Sequence, residues 1–144
     1  MSLRMILRIL GLLLMMFSLT MVPPIAISLL FGDGTWDAFL IAIAITVLTG
    51  ALMFLPNRRA RRELRTRDGF LIAAMFWTVL GLFGSLPLML TGSTALSFTD
   101  AVFESFSGLT TTGATVITGI DFLPEAILYY RQQLQWLGGI GIVV

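Results

Sequence analysis

The sequence has no cysteine and no histidine, and all of its positive charge is arginine. The first absence excludes disulfides, thiolate metal sites and cysteine nucleophiles. The second removes the commonest general base and the commonest metal ligand. Charge of either sign is scarce: charged residues make up 12% of the 144 and hydrophobic residues 57%. Mean hydropathy is +0.95. Soluble domains run near about 25% charged and about 45–50% apolar, so this is the composition of a membrane protein. Net charge is only +1, but it is unevenly spread, with six arginines gathered between Arg58 and Arg67.

Ile9 to Phe31 carries no charge over about 23 residues. At about 1.5 Å per residue that is roughly 34 Å, enough to cross a hydrocarbon layer of roughly 30 Å with some tilt. Pro23 and Pro24 are expected to kink it, which a membrane helix tolerates when neighbours satisfy the freed carbonyls. A cleaved signal peptide is the competing reading, with Arg4 and Arg8 as its basic end and Ala26 to Ser28 as its cleavage site. The apolar run is long for that role, and further spans follow. Ala38 to Leu55 is a second charge-free run, stopped by Pro56 and Asn57, and Phe70 to Leu90 a third, with Pro87 near its far end. The arginine bias sends the N-terminus and the Arg58–Arg67 loop to the cytoplasm and the 32–37 turn outside. The same arginines also suit anionic lipid or a cytosolic partner.

Between Leu90 and Tyr129 the pattern changes. Ser97 and Asp100 have the spacing of a capping box. Ala101, Val102, Phe103, Phe106 and Leu109 follow at helical intervals, and Gly108 is the expected stop. A helix of about 11 residues is roughly 16 Å long, about half a bilayer. It is too short to span and too apolar for water, so it reads as re-entrant, with its irregular continuation facing protein or a water-filled cavity.

That continuation is Thr110-Thr111-Thr112-Gly113-Ala114-Thr115. Carbonyls at a helix C-terminus favour a cation just beyond them. Gly113 permits φ > 0, which lets successive carbonyls point one way. A row of carbonyls there, helped by threonine hydroxyls, can replace the water shell of a dehydrated monovalent cation. The candidate ion-binding residues are therefore Thr110, Thr111, Thr112 and Gly113, supported by Ser97, Asp100, Gly108 and Thr115. No carboxylate falls between Thr110 and Ile120, which disfavours a divalent site. A plain polar loop joining two helices is the bland alternative. After the turn at Asp121, Pro124 and Glu125 comes a helix that begins polar (YYRQQLQ) and turns apolar (WLGGIGIVV). Arg131, near its start, has two readings: snorkelling to outer headgroups, or pairing with Asp100 or Glu104.

The stretches DAVFESFSGLTTTGAT, LPEAILYYRQQLQWLGGIGIVV and DGFLIAAMFWTVLGLFGSLP resemble the Trk/Ktr family of potassium uptake proteins, in its TrkH/TrkG branch. The likeness extends over essentially the whole chain. It implies a longer transporter in which four non-identical helix–pore–helix repeats surround one pore. On that pattern the fold is an all-α membrane protein: a two-helix transmembrane hairpin over 1–57, a cytoplasmic Arg-rich loop over 58–69, and a first repeat over 70–144, incomplete at its C-terminus. Thr111 and Thr112 then correspond to K⁺-coordinating positions, and Gly113 is the filter glycine. The resemblance also implies a bacterial inner-membrane location, K⁺ as the transported ion with no organic cofactor, homodimerisation, and a TrkA-like cytosolic regulatory subunit that binds nucleotides.

Two readings compete with this one. A self-assembling tetrameric cation channel leaves the two leading spans unexplained. A membrane-anchor subunit of an enzyme complex would ordinarily carry intramembrane histidines or carboxylates. Catalysis by the chain itself is not expected, because no nucleophile–base pair can be assembled from its residues.

Overall fold

A computed structural model of the chain describes residues 3–60, 63, 65–94 and 96–143. Arg61 and Arg62 of the arginine block, and the terminal Val144, lie outside the described residues. Among the described residues all regular structure is helical. Seven α-helices follow in order: α1 (Leu3–Leu19), α2 (Val22–Phe31), α3 (Trp36–Phe54), α4 (Thr66–Gly84), α5 (Leu86–Leu90), α6 (Phe98–Leu109) and α7 (Glu125–Val143). Three stretches are long and apolar enough to cross a membrane: Leu3–Phe31, Trp36–Asn57 and Thr66–Leu90. Each contains an expected span and extends past it. The first and third take in flanking arginines, since a charge limits how far a helix sits in hydrocarbon but not whether it is helical.

Both long proline-bearing spans break where the ring removes an N–H. Helix α1 ends at Leu19 and α2 begins at Val22, just before Pro23 and Pro24. Pro24 cannot donate to the carbonyl four residues back, Thr20 O. Gln133 on α7 supplies the missing donor, its Nε2 bonding that oxygen. The second break separates α4 from α5 at Ser85, two residues before Pro87. Here the buried Tyr130 hydroxyl, also on α7, donates to Gly84 O at 2.7 Å. The carbonyl that Pro87 strands, Phe83 O, is taken by Ser85 N; Tyr130 and Gln133 are one helical turn apart, so one face of α7 contacts both breaks.

Helix α2 stops at Gly32, whose φ of +65° lets its N–H turn back to Ser28 O at 2.9 Å. That left-handed conformation is open to glycine without a Cβ clash. Directly after it, Asp33 is the centre of a knot of hydrogen bonds. It accepts from the Ser28 hydroxyl, from Thr35 N at 3.0 Å and from Thr35 Oγ1 at 2.8 Å. Its other oxygen accepts from Ala126 N at 3.0 Å, capping the first turn of α7 from a turn 93 residues earlier. Burial pushes the Asp33 carboxyl up, but the bonds from Ser28, Thr35 and Ala126 outweigh it and hold it below its ordinary value.

Where α1 crosses α3, glycines set the distance. A Cβ on Gly11 would lie 2.6 Å from Gly50 O, and one on Gly50 would lie 2.8 Å from Gly11 O. Lipid offers no hydrophobic drive for helix pairing, so close backbone packing carries the contact. The core is centred on Phe39, Leu88, Ala101, Ile127, Tyr130 and Leu134, all nearly or wholly buried. Phe39 and Tyr130 meet edge to face with centroids 5.3 Å apart. The N-terminal helices and α4–α7 therefore share one core, with α7 at the junction.

Candidate functional site

Helix α6 has 12 residues, roughly 18 Å at 1.5 Å per residue, so the half-length expectation holds. The Ser97 side chain accepts from Asp100 N at 3.2 Å, which is the forward half of the expected capping box. Ser97 and Asp100 lie at the far end of α6 from the threonine loop, so they fix the start of the helix and, among the described residues, make no hydrogen bond to the loop. The helix ends at Leu109, one residue past the expected stop at Gly108. Gly108 also serves packing: a Cβ there would sit 3.0 Å from Leu134 Cβ on α7. Gly138 on α7 is tighter still, since a Cβ there would overlap the Leu109 carbonyl oxygen and lie 2.7 Å from its carbon. The two helices thus cross at the point where α6 gives way to the loop.

The loop turns its N–H groups inward. Thr110 N bonds Phe106 O at 2.8 Å, Thr111 N bonds Gly108 O at 2.9 Å, and Thr112 N bonds Ser107 O at 2.9 Å, with Gly113 N on the same oxygen at 3.4 Å. These donors satisfy the carbonyls of Phe106, Ser107 and Gly108 in the last turn of α6. Among the described residues nothing donates to the carbonyls of Thr110, Thr111, Thr112 or Gly113. Residues 110–116 are exposed. Over Thr110–Gly113 the backbone donors are therefore spent on α6, while the carbonyls have no donor among the described residues and belong to exposed residues.

Two left-handed residues produce this alternation. Gly113 has φ +74° and Thr111 has φ +57°. For a β-branched residue that is a true outlier, costing on the order of 1–3 kcal/mol. It persists because Thr110, Thr112 and Gly113 on either side are pinned to α6. The hydroxyls are partly committed as well. Thr110 Oγ1 donates to Phe106 O at 2.7 Å and lies 2.8 Å from Thr112 Oγ1. With the Thr110 proton spent, Thr112 is the donor of that pair.

The return segment is tied to α6 by side chains that sequence reasoning left out of the site. Ser107 Oγ donates to Ala114 O at 2.6 Å. One turn earlier, the buried Glu104 Oε1 accepts from the Thr115 hydroxyl and from Val116 N, the latter at 2.6 Å. Its Oε2 accepts from Arg131 Nη2 at 3.0 Å and Nε at 3.2 Å. Of the two sequence readings for Arg131, pairing with Glu104 is the one found. The signal was present in the sequence: a carboxylate in the middle of an apolar half-helix needs a partner, and Arg131 is the only cation C-terminal to the arginine block. Among the described residues no group of three or more acidic residues gathers as a metal site.

This geometry can be set against known proteins. Residues 36–144 match the TrkH family model, described as a cation transport protein. The Trk system potassium uptake protein TrkH of Halomonas elongata is 87% identical over 144 residues, all of this chain and 30% of that protein. The Trk system potassium uptake protein TrkG of Escherichia coli is 39% identical over 141 residues, 98% of this chain and 29% of that protein. The crystal structure of the potassium transporter TrkH from Vibrio parahaemolyticus superimposes with a TM-score of 0.95 at 55% identity, covering 99% of this chain and 31% of that one. The chain thus spans about 30% of the length of these relatives. The family is one of transporters rather than enzymes, and with three apolar spans and a match over most of its length, this chain belongs to the TrkH family of cation transport proteins.

Proposed function

We propose that the chain is part of a Trk-type potassium uptake transporter, in which the oxygens of Thr110–Gly113 form one quarter of an ion filter. The observation that carries this reading is the alternation over 110–113, with its N–H groups spent on α6 and its carbonyls without a donor among the described residues, in a stretch that is exposed. Such oxygens can stand in for the hydration shell of K⁺. The loop offers no carboxylate, which suits a monovalent ion that must also leave. Thr111 and Thr112 contribute their backbone carbonyls, and the Thr112 hydroxyl is oriented by its bond with Thr110. The potassium uptake named for the relatives supports the choice of ion. No chemical step is needed: a cation moving inward gains about 2.3 kcal/mol per 100 mV of membrane potential.

On this reading residues 1–57 form an N-terminal hairpin, 58–69 a cytoplasmic loop and 70–144 a helix–pore helix–filter–helix repeat. The N-terminus lies in the cytoplasm, as the arginine bias favours, and the membrane is the bacterial inner membrane, as the family likeness implies. The whole transporter is a homodimer that works with a nucleotide-binding cytosolic subunit. The Trk system named for the relatives supports an assembly of several parts.

The test is rubidium uptake by the full-length transporter in a potassium-uptake-deficient bacterium, with and without Gly113→Ser. Serine at φ +74° is strained, so the oxygens should shift and Rb⁺/Na⁺ discrimination fall about tenfold or more while some uptake remains. Unchanged discrimination would make 110–115 a connecting loop.

A further inference from the structure

The filter reading concerns the oxygens that face the ion. The structure also contains a device behind them. From the contacts of Glu104 we infer that this carboxylate is a positioning residue for ion selectivity, fixing the return segment of the filter loop against both α6 and α7. The inference rests on the filter reading proposed above.

Glu104 and Ser107 are three residues apart on α6 and so share a face. The extended segment 114–116 runs back along that face, with Ser107 holding Ala114 O and Glu104 holding Thr115 and Val116. Thr115 Oγ1 in turn accepts from Ile117 N at 3.1 Å, so the anchored segment continues to Ile117. Both Glu104 oxygens are used, one toward this segment and one toward Arg131. A bare fold staple would need only the ion pair. Here the carboxylate spends an oxygen on two donors that directly follow the filter, so a shift of its position is transmitted to the loop carbonyls. Arg131 holds the carboxylate in place and offsets the cost of burying its charge. Both anchors follow 110–113 in the chain, Ser107 at Ala114 and Glu104 at Thr115 and Val116, so they fix the end from which the loop carbonyls would otherwise shift.

The inference separates selectivity from amount of protein. In the full-length transporter, Glu104→Gln keeps one acceptor oxygen but opposes an amide or a neutral oxygen to Arg131. Thr115→Val removes a single hydroxyl and leaves the ion pair intact, and Thr115→Ser restores the hydroxyl. The readout is the ratio of Na⁺ to Rb⁺ half-saturation concentrations, with membrane protein quantified in parallel. Glu104→Gln and Thr115→Val should each reduce discrimination by about three- to tenfold, and Thr115→Ser should return it to the parental value. If Glu104→Gln fails to reach the membrane, Thr115→Val and Thr115→Ser decide the matter alone. Lower protein amount or rate with parental discrimination in Thr115→Val overturns the inference, because that is what a structural tie would give. If Gly113→Ser lowers discrimination and these variants do not, the filter reading stands and only the brace falls. If Gly113→Ser is also without effect, both fall.

Discussion

The glycine crossings of α1 with α3 and of α6 with α7 hold different kinds of backbone. Where α1 crosses α3, Gly11 and Gly50 bring two regular helices into backbone contact. Where α6 meets α7, Gly108 and Gly138 do the same, but one partner is a helix that is about to end. Regular helices have satisfied their own backbone, so shape alone suffices at the first crossing. The second must also hold an irregular loop, and polar side chains gather there: Ser107, Glu104, Thr115 and Arg131. Close packing fixes distance in both places. Only the second adds hydrogen bonds that fix direction.

The comparison predicts that equal steric insults have unequal consequences. Gly11→Ala and Gly138→Ala each drive a methyl into backbone of the opposing segment, at Gly50 and Phe54 in one case and at Leu109 in the other. Neither neighbour is a flexible side-chain end, so each should cost about 1–3 kcal/mol or more in stability. Both variants of the full-length transporter should therefore melt earlier in detergent by fluorescence-detected thermal unfolding. Gly138→Ala should in addition lower Rb⁺/Na⁺ discrimination, because Leu109 leads directly into Thr110. Gly11→Ala should leave discrimination unchanged. A selectivity change with Gly11→Ala would mean that the hairpin is coupled to the ion path and that the contrast between the two crossings is wrong.

A smaller effect sharpens the role of α7 as the element that joins the two regions. Gln133 gives its Nε2 proton to Thr20 O, the carbonyl that Pro24 leaves without a helical donor. Gln133→Leu should cost about 1 kcal/mol, the range for polar contacts between membrane helices. Pro24→Ala puts an N–H back four residues after Thr20. The double variant should therefore lose less stability than the sum of the single losses, and a thermal-unfolding cycle measures the difference. Strict additivity would mean that Gln133 does not serve the orphaned carbonyl.

What the sequence disclosed follows the same division between local and distant causes. The three spans, the interruption at Pro23 and Pro24, the half-length helix and the conformation of Gly113 are local properties, read from runs of apolar residues, ring chemistry and a missing Cβ. The carboxylate partner of Arg131 was narrowed to Asp100 or Glu104 but not chosen, because both lie on one short helix and the choice depends on how α6 and α7 cross. Thr111 at φ +57° was beyond any propensity argument, since local preference opposes it and only the pinned neighbours enforce it. Gly108 reads as a helix stop by residue type; that its missing side chain also serves Leu134 does not show in the sequence. The bonds from Gln133 to Thr20 and from Ala126 to Asp33 span 113 and 93 residues. No periodicity carries information over such a separation, and only the shared core brings these groups together.

The smallest expected effect tests the joint at the other end of α7. Asp33 holds its carboxylate form by accepting from Ser28, Thr35 and Ala126, and these bonds depress its pKa despite partial burial. A carboxyl with a depressed folded-state pKa contributes stability above its unfolded value, near about 3.9. That contribution fades as pH falls through the folded-state value. The transporter should thus lose thermal stability on acidification in part through Asp33. Asp33→Asn removes this component, so the variant should be slightly less stable near neutral pH, and its acid limb should be flatter than the parent's. The amide can still accept from Ala126 N with its one oxygen, which keeps the cap of α7 partly in place and the loss small. Melting temperatures compared from about pH 7 down to about pH 3 measure both features. Parallel curves would mean that the knot at Asp33 is held by Ser28 and Thr35 whatever its charge, and that the N-terminal hairpin is tied to α7 by packing rather than by this carboxylate.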